Sequence, residues 1–209
     1  MEFVKNQQWR YATKQFDSSR KVATQELNYL KEAIRLSVSS YGLQLYEVLI
    51  IENPELRQKL KPASWNQSQI TDASHLFVFC NYTSVQDRHI EDYTERVAKA
   101  RGLSLGQLNG YGDFVKNKLA EKSATETQNW LERQPYIALA NLLAACAELE
   151  IDACPMEGFD PQAYQEILDL APRGLHPCVI ATVGYRHKND ASQHQTKVRK
   201  TQDELFTSL

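Results

Sequence analysis

Two pairs of basic residues near opposite ends of the chain have the charge and spacing to bind an anion. Arg10 and Lys14 are four residues apart near the start, and Lys197 and Arg199 are two residues apart near the end. Guanidinium and ammonium groups form charge-assisted hydrogen bonds with phosphate oxygens, and arginine often does so with two N–H groups. A phosphate therefore suits both pairs; the alternative is that these are ordinary solvated surface charges.

A glycine-containing loop, Pro155-Met156-Glu157-Gly158-Phe159-Asp160, lies between the two pairs in the sequence. It follows a predicted strand and precedes a predicted helix. Glycine at such a place lets a flat or anionic ligand approach the backbone closely. Taken alone, this loop is only a weak indicator of a binding site.

The sequence lacks the common signatures of other enzymes. It has no GxxxxGK[ST] loop, no GxGxxG after a strand, no GxSxG elbow and no HExxH helix. The histidines form no HxxxH or HxH pair and the cysteines no CxxC, so we predict no metal site and reduced, structural cysteines. Ser74 and His75 are adjacent, but neighbouring strand residues point to opposite faces, so we expect no hydrogen bond between them and no nucleophile–base pair.

Alternating helix and strand patterns must position these groups. Apolar runs of strand length predict strands at 45–51, 75–82, 151–156 and 177–185. Periodicity predicts helices at 24–37, from 54 to about 60, at 84–102 and at 161–170. Candidate helix caps are Thr24 and Asn53, together with the capping boxes Ser104/Gln107 and Ser123/Glu126.

Two later segments raise the question of a partner. Residues 136–149 are apolar on nearly every face of a helix, so they must be buried all round or packed against another subunit. Residues 188–209 are mostly polar, and such a tail is either free or wrapped around a partner; the sequence alone favours a free tail.

Length and composition indicate one globular domain over residues 1–209. Apolar residues make up 42% of the 209 and charged residues 24%, and the formal charge is −2. Such balance argues against a general nucleic-acid binder. No apolar stretch is long enough for a membrane helix, and the first residues lack the apolar core of a secretory signal, so we expect a cytoplasmic protein.

Short motifs spread over most of the chain carry a family resemblance. In order they are residues 10–17 (RYATKQFD), Ser39-Ser40, Gln44, Asn66, residues 72–75 (DASH), Gln134, residues 155–160 (PMEGFD) and residues 197–199 (KVR). In this order and spacing the chain resembles the FMN-dependent nitroreductase family, and most closely its oxygen-insensitive NAD(P)H nitroreductase and dihydropteridine reductase branch. The resemblance implies an α+β fold, with a mostly antiparallel central sheet flanked by helices. It also implies an intertwined homodimer whose C-terminal arm, about 188–209, crosses to the partner and brings Lys197 and Arg199 to the phosphate.

The resemblance also implies a role for each matching residue. Arg10, Lys197 and Arg199 would hold the FMN phosphate, and Lys14 would lie by the ribityl chain and the pyrimidine edge. Ser39 and Ser40 match a loop that the second subunit presents to the flavin. Asn66 would bond the ring edge and Gln134 would lie beside the flavin. Pro155, Met156, Glu157 and Gly158 would line the ring face away from substrate, with a backbone N–H near flavin N5.

The chain departs from the family pattern at a few of these positions. Tyr11 and Ala12 stand where the family often has His-Ser, so a hydroxyl near the phosphate is missing and backbone groups must replace it. Gln69 stands where the nearest branch has a lysine beside the pyrimidine, which predicts a lower flavin midpoint potential. Gly42 stands where the family tends to have asparagine, in the loop on the substrate side.

The implied function is that of an NAD(P)H-dependent FMN oxidoreductase. NADH or NADPH would pass hydride to flavin N5, and a nitroaromatic, quinone, pteridine or flavin acceptor would then take its place in a ping-pong mechanism. No side chain is required as an acid or base. Tyr111 and Phe114, within the helical stretch 88–118 that would cover the substrate, are candidates for stacking on the acceptor, or else core residues. The alternatives are other flavin chemistry on the same fold and a non-catalytic flavin-binding dimer.

Overall fold

The predicted strands form one antiparallel sheet in the computed structural model, which describes residues 1–209. The strands are β1 (Tyr46–Ile51), β2 (His75–Tyr82), β3 (Asp152–Met156) and β4 (Leu175–Gly184). Their order across the sheet is β1-β2-β4-β3, and every neighbouring pair is antiparallel. The predicted α+β class with an antiparallel sheet is therefore confirmed.

Nine α-helices flank this sheet. They are α1 (Glu2–Trp9), α2 (Thr24–Arg35), α3 (Pro54–Leu60), α4 (Gln69–Asp72), α5 (Asp87–Arg101), α6 (Asn109–Ala120), α7 (Ala124–Glu148), α8 (Pro161–Ile167) and α9 (Gln202–Leu205). None of them is long and apolar enough to cross a membrane.

The predicted helix caps are confirmed with one correction. Asn53 Oδ1 accepts from the N–H of Leu56 at 2.8 Å, and Ser123 accepts from that of Glu126. Thr24 was the wrong cap for α2: Ala23 precedes the helix, and its N–H donates to the Glu26 carboxylate. The helix also ends at Arg35, two residues before the predicted end.

The core has one layer on each side of the sheet because alternate strand residues point to opposite faces. On one side Phe77 and Phe79 pack with Leu30 of α2 and Leu142 of α7. On the other side Leu76, Val78 and Cys80 pack with residues of α3 and α8, including Leu60 and Tyr164. The sheet is thus buried on both faces.

The long helix α7 is buried on one side only. Ala138, Leu139 and Leu142 belong to the core, whereas Tyr136 and Ile137 are exposed within the single chain. Of the two possibilities left open by its sequence, burial all round is therefore wrong for one chain. Apolar side chains are therefore exposed on the outer face of α7.

The two ends of the chain meet at the β3 edge of the sheet. The segment after α1 runs beside β3, where Ala12 bridges Ala153 in parallel, and Phe16 bridges Arg186 just beyond β4. Asp190 in the polar tail is buried, whereas residues 200–209 are exposed. The tail is therefore not free along its whole length, because its first part packs on the N-terminal segment of the same chain. The expected crossing to a partner is accordingly wrong for Asp190 and Lys197, which contact their own chain.

Candidate functional site

Arg10, Lys197 and Arg199 come together at the end of α1, and we call them the cationic cluster. Arg10 follows the last residue of α1, and Lys197 Nζ donates to the main-chain carbonyls of Gln7, Gln8 and Arg10. A lysine at this place is favoured because a helix C-terminus carries partial negative charge. The spacing in the sequence predicts two separate basic pairs. The fold brings Arg10 of the first pair to both residues of the second pair, Lys197 and Arg199.

The three charges of the cationic cluster repel one another and have no acidic partner. Burial, and then the charge of Arg199, lowers the pKa of Arg10. Burial, and then the charges of Arg10 and Arg199, lowers the pKa of Lys197. None of the three forms an ion pair with a carboxylate. Such a group of cations is stabilised by a multivalent anion.

Lys14 is directed away from this cluster, towards Gln69. Its Nζ lies 3.9 Å from the Cys154 sulfur, and Gln69 Nε2 donates to that sulfur at 3.4 Å and to the carbonyl of Thr13 at 3.1 Å. Gln69 is buried, whereas Lys14 is exposed. Burial raises the pKa of the Cys154 thiol, and Lys14 and Gln69 partly oppose this. The two side chains thus place donor groups around the Cys154 sulfur of β3.

Part of the backbone that follows Arg10 is hydrogen-bonded to Asp190. The missing hydroxyl at Ala12 was expected to be replaced by backbone groups. However, the N–H groups of Lys14 and Gln15 donate to the Asp190 carboxylate at 2.8 and 3.2 Å. The Tyr11 hydroxyl donates to the same carboxylate at 3.0 Å, so it does not substitute for the missing group. These three donors are therefore occupied within the chain, and replacement of the missing hydroxyl by other backbone groups stays a prediction.

The end of β3 forms a wall that is fastened to a neighbouring turn. A Cβ on Gly158 would lie 2.7 Å from the ring of Trp65, so only glycine fits there. Gln67 Nε2 donates to the Gly158 carbonyl at 2.9 Å, and the Tyr136 hydroxyl donates to Glu157 at 2.7 Å. Pro155 and Met156 complete this wall as the last residues of β3. The predicted loop 155–158 is thus a fixed surface.

Trp65 is a residue at this site that the sequence analysis missed. Trp65 and Asn66 both have positive φ values, of 53° and 57°, and the Trp65 side chain is 71% exposed. Strained backbone of this kind is concentrated at functional sites. The backbone N–H of Asn66 donates to the carbonyl of Lys61 at 3.0 Å, whereas its side-chain amide makes no hydrogen bond within the chain. Binding of the flavin edge by this side chain stays a prediction. The signal for Trp65 was an aromatic residue directly before that asparagine.

Ser39–Gly42, which we call the serine loop, belongs to a separate group of residues. The N–H of Ser40 donates to Gln134 Oε1 at 2.8 Å, and Ser39 Oγ accepts from the N–H of Gln44 at 2.9 Å. Gly42 has φ +75°, and a Cβ on it would lie 2.7 Å from the Tyr93 hydroxyl. No hydrogen bond or ion pair joins this loop to the cationic cluster. Gln134 therefore lies with the serines and not with Arg10.

The two aromatic candidates for acceptor binding differ in their surroundings. The Tyr111 hydroxyl donates to the carbonyl of Tyr41 in the serine loop at 3.3 Å, and its ring centre lies 6.3 Å from that of Tyr93. Phe114, one turn further along α6, is half exposed. Tyr111 thus holds the serine loop in this chain, and acceptor stacking by either residue stays a prediction.

The expectation for Ser74 and His75 was wrong. Ser74 Oγ and His75 Nδ1 are 2.9 Å apart, because Ser74 precedes β2 and does not follow the alternation of the strand. The pair still makes no nucleophile. Ser74 is buried and its Oγ accepts from the N–H of Val22 at 2.8 Å, so the hydroxyl fastens the segment before α2 to the sheet.

Known sequences match this chain over most of its length. Residues 8–185 match the model of a family described as "Nitroreductase family". A protein of Staphylococcus saprophyticus with the name "Putative NAD(P)H nitroreductase" is 34% identical over 210 residues, covering 96% of this chain and 94% of the relative. The "Major NAD(P)H-flavin oxidoreductase" of Aliivibrio fischeri is 31% identical over 207 residues, covering 96% and 95%.

Solved structures share the fold. A protein of Exiguobacterium sibiricum, described as a nitroreductase in complex with FMN, superposes with a TM-score of 0.84 over 100% of this chain and 98% of the other. Sequence identity between the two is 16%. This similarity shows that the helices and the antiparallel sheet have the same arrangement in both proteins.

Proposed function

The chain belongs to the nitroreductase family and is a flavin-dependent NAD(P)H oxidoreductase, and we propose that Arg10, Lys197 and Arg199 hold the phosphate of its FMN. The observation that carries this proposal is the cationic cluster itself. Burial and the neighbouring positive charges lower the pKa of Arg10 and of Lys197, and none of the three cations has a carboxylate partner. A phosphate dianion supplies the missing negative charge. The residues present therefore fit the group.

The residues next to the cationic cluster suit the remainder of FMN. Lys14 and Gln69 supply hydrogen-bond donors beside the cluster, where the ribityl chain and the polar edge of the ring would lie. Asn66 supplies a free amide. The wall of Pro155–Gly158 supplies a rigid surface for one face of a flat ring, because Gln67 and Tyr136 fix it from two sides.

Bound FMN would supply the hydride chemistry, with NAD(P)H and the acceptor reacting in turn, which predicts ping-pong kinetics. The chain would position the cofactor and leave one ring face open. The exposed Trp65 borders the wall of Pro155–Gly158 on the solvent side. An open, stacking surface discriminates weakly between flat acceptors, so we propose nitroaromatics, quinones, pteridines and flavins as its acceptor class.

We propose that a second copy of the chain completes the site with its serine loop. Three observations support this. The serine loop is held apart from the cationic cluster within one chain, the outer face of α7 is exposed at Tyr136 and Ile137, and Leu36 and Val38 before the loop are exposed as well. Exposed apolar surface next to a half-formed site is typical of an obligate dimer.

A groove along β1 is where we propose that the partner's C-terminal arm lies. β1 is an edge strand, and the groove beside it measures about 640 Å³ and is lined by Leu45, Val48 and Ile50 with Lys31 and Arg96 at its rim. The end of the arm carries two acids, Asp203 and Glu204, and three exposed apolar residues, Leu205, Phe206 and Leu209. Charge and hydrophobicity of the arm and the groove therefore match, and an edge strand can accept an added strand.

The oxidoreductase proposal is tested by spectroscopy on the purified full-length chain. We expect flavin bands that bleach on anaerobic addition of NADH or NADPH and return when a nitroaromatic or a quinone is added. If the protein binds flavin but NADH and NADPH do not reduce that flavin, only the flavin-binding part of the proposal stands. A colourless protein that FMN cannot reconstitute would refute the phosphate assignment.

The dimer proposal is tested by removing residues 201–209, which keeps Lys197 and Arg199. We expect light scattering to give a dimer for the full chain and a weakened dimer for the truncated one. The matched control is the full-length double variant Asp203→Asn/Glu204→Gln, which should weaken the dimer less. A full chain that is monomeric at micromolar concentration would contradict a site shared by two subunits.

A further inference from the structure

Asp190 is an unexpected buried acid in the polar C-terminal segment. It is 1% exposed, and both of its carboxylate oxygens accept hydrogen bonds. Oδ2 accepts from the Tyr11 hydroxyl and from the N–H groups of Lys14 and Gln15, and Oδ1 accepts from the N–H of Ser192 at 3.0 Å. The carboxylate is thus fully bonded, and all but one of its donors come from the segment that follows Arg10.

Tyr11 is held from a second direction by Arg186. The Arg186 guanidinium carbon lies 4.7 Å from the centre of the Tyr11 ring and 4.3 Å from that of Trp9 in α1. Arg186 is in turn paired with buried Asp152, its Nε donating to Oδ1 at 2.8 Å. Arg186 therefore restrains the ring of Tyr11, and Asp190 restrains its hydroxyl. Together they leave the backbone around Arg10 little freedom to move.

The position of Asp190 in the chain joins the two parts of the cationic cluster. Arg10 lies directly before Tyr11, and Lys197 and Arg199 follow Asp190 by seven and nine residues. The cations repel one another. The segment that carries Arg10 and the segment that carries Lys197 and Arg199 therefore need other contacts to stay close. Lys197 supplies one tie, to the carbonyls at the end of α1, and Asp190 supplies the other.

We propose that Asp190 is a positioning residue for phosphate recognition. It does not contact the phosphate, but it holds Arg10 and Lys197 at one place before the ligand arrives. This inference rests on the proposed function, because it assumes that the cationic cluster receives the FMN phosphate.

The test compares two flavins that differ only in the phosphate. Dissociation constants of FMN and riboflavin are measured by flavin fluorescence quenching for the full-length apoprotein, for Asp190→Asn and for Tyr11→Phe. We expect Asp190→Asn to weaken FMN binding about 10- to 100-fold and riboflavin binding much less, since an amide cannot accept all of these bonds. Tyr11→Phe removes one of the bonds and should weaken FMN binding by less than about tenfold.

The controls separate this inference from a structural role and from the proposed function. Glu55→Gln removes an exposed acid of α3, which no hydrogen bond or ion pair joins to the cationic cluster, and should leave both constants unchanged. If Asp190→Asn weakens both flavins equally, or neither, the positioning role is refuted while the function stands. If the wild type binds riboflavin as tightly as FMN, the phosphate assignment itself fails. If Asp190→Asn does not fold, the same comparison is made with Tyr11→Phe: its dissociation constant for FMN should increase by a larger factor than that for riboflavin.

Discussion

The cationic cluster and the serine loop are stabilised in different ways. The segments that carry the cluster are tied by two buried carboxylates, Asp152 and Asp190, each with several donors. The serine loop is held by one amide, that of Gln134, and by the edges of Tyr93 and Tyr111, with positive φ at Tyr41 and Gly42. The first region is preorganised within one chain, whereas the second has fewer restraints until a partner covers it.

This difference matches the tasks that we propose for the two regions. A phosphate is a fixed, strongly charged group, and a rigid set of cations binds it best because little order must be gained on binding. Acceptors of several shapes need an adaptable surface. The following predictions test whether the two regions differ in this way.

The largest effect is expected from Arg186→Met in the rigid region. It leaves the buried Asp152 carboxylate without its charged partner, which costs about 3–5 kcal/mol in the free energy of unfolding. Urea denaturation measures this cost. Arg35→Met, which breaks an exposed ion pair with Glu32, is the matched control and should change little. Equal losses for the two variants would contradict the importance of the buried pair.

Arg10→Gln is expected to act on ligand binding more than on folding. Loss of one charge-assisted contact to phosphate costs about 1.5–3 kcal/mol, which is roughly a 10- to 100-fold weaker FMN affinity. Equilibrium dialysis against FMN and riboflavin measures it. Arg20→Gln, an exposed arginine that stacks on Tyr185, should leave both affinities unchanged. An unchanged FMN affinity for Arg10→Gln would remove Arg10 from the site.

Gln69→Lys tests the donors beside the cationic cluster. A positive charge near the reduced flavin stabilises it, so the midpoint potential should rise, by about 30 mV if the gain is about 1.4 kcal/mol. Spectroelectrochemical titration measures the potential. Gln162→Lys adds the same charge on the surface of α8 and should not shift it. No rise for Gln69→Lys would refute the assigned place of Gln69.

The smallest effect is expected from Tyr111→Phe at the serine loop. It removes one partly exposed hydrogen bond of 3.3 Å, which costs less than about 1 kcal/mol in stability. Amide hydrogen exchange should nevertheless become faster at residues 39–42. Phe114→Leu on the same helix makes no such bond and should leave this exchange unchanged. Slow exchange in both variants would mean that the loop is as rigid as the cationic cluster.

The pH dependence of the rigid region follows from Asp190. Burial alone would raise the pKa of Asp190, but hydrogen bonds from Lys14, Gln15, Ser192 and Tyr11 together hold it below its ordinary value. A lowered pKa contributes stability above the ordinary value, and that stability is lost as the pH falls through the lowered one. Asp190→Asn should therefore flatten the acid limb of the unfolding free energy, as measured by urea melts from pH 6 downwards.

The sequence could predict the strands and most helices because apolar periodicity directly reports burial. It could not predict α1, which has no buried residue, or Ala23 as the N-cap of α2, since the cap contact comes from Glu26. The alternation of side chains along a strand also gave a wrong prediction for the Ser74–His75 hydrogen bond, because Ser74 lies just outside β2. These failures arise where position within an element, and not residue type, decides the contacts.

For the site, the sequence supplied the cationic residues but not what holds them. Lys197 and Arg199 could be found because charge in a short motif is visible. Asp190 could not, since an acid in a polar tail looks the same whether it is solvated or buried. Its burial depends on Tyr11 and the Lys14 N–H, almost 180 residues away. Trp65 was missed because its importance comes from Gly158, on a different loop.

The contact of Lys197 with the end of α1 also has a consequence for biosynthesis. Arg10 and Lys197 are 187 residues apart in sequence, so the two cannot meet until the segment that carries Lys197 has left the ribosome. The sheet strands that precede this contact can pair earlier, because their partners are nearer in sequence. The cationic cluster therefore cannot be complete before the segment that carries Lys197 has been made, whereas the strands of the sheet can pair before that point.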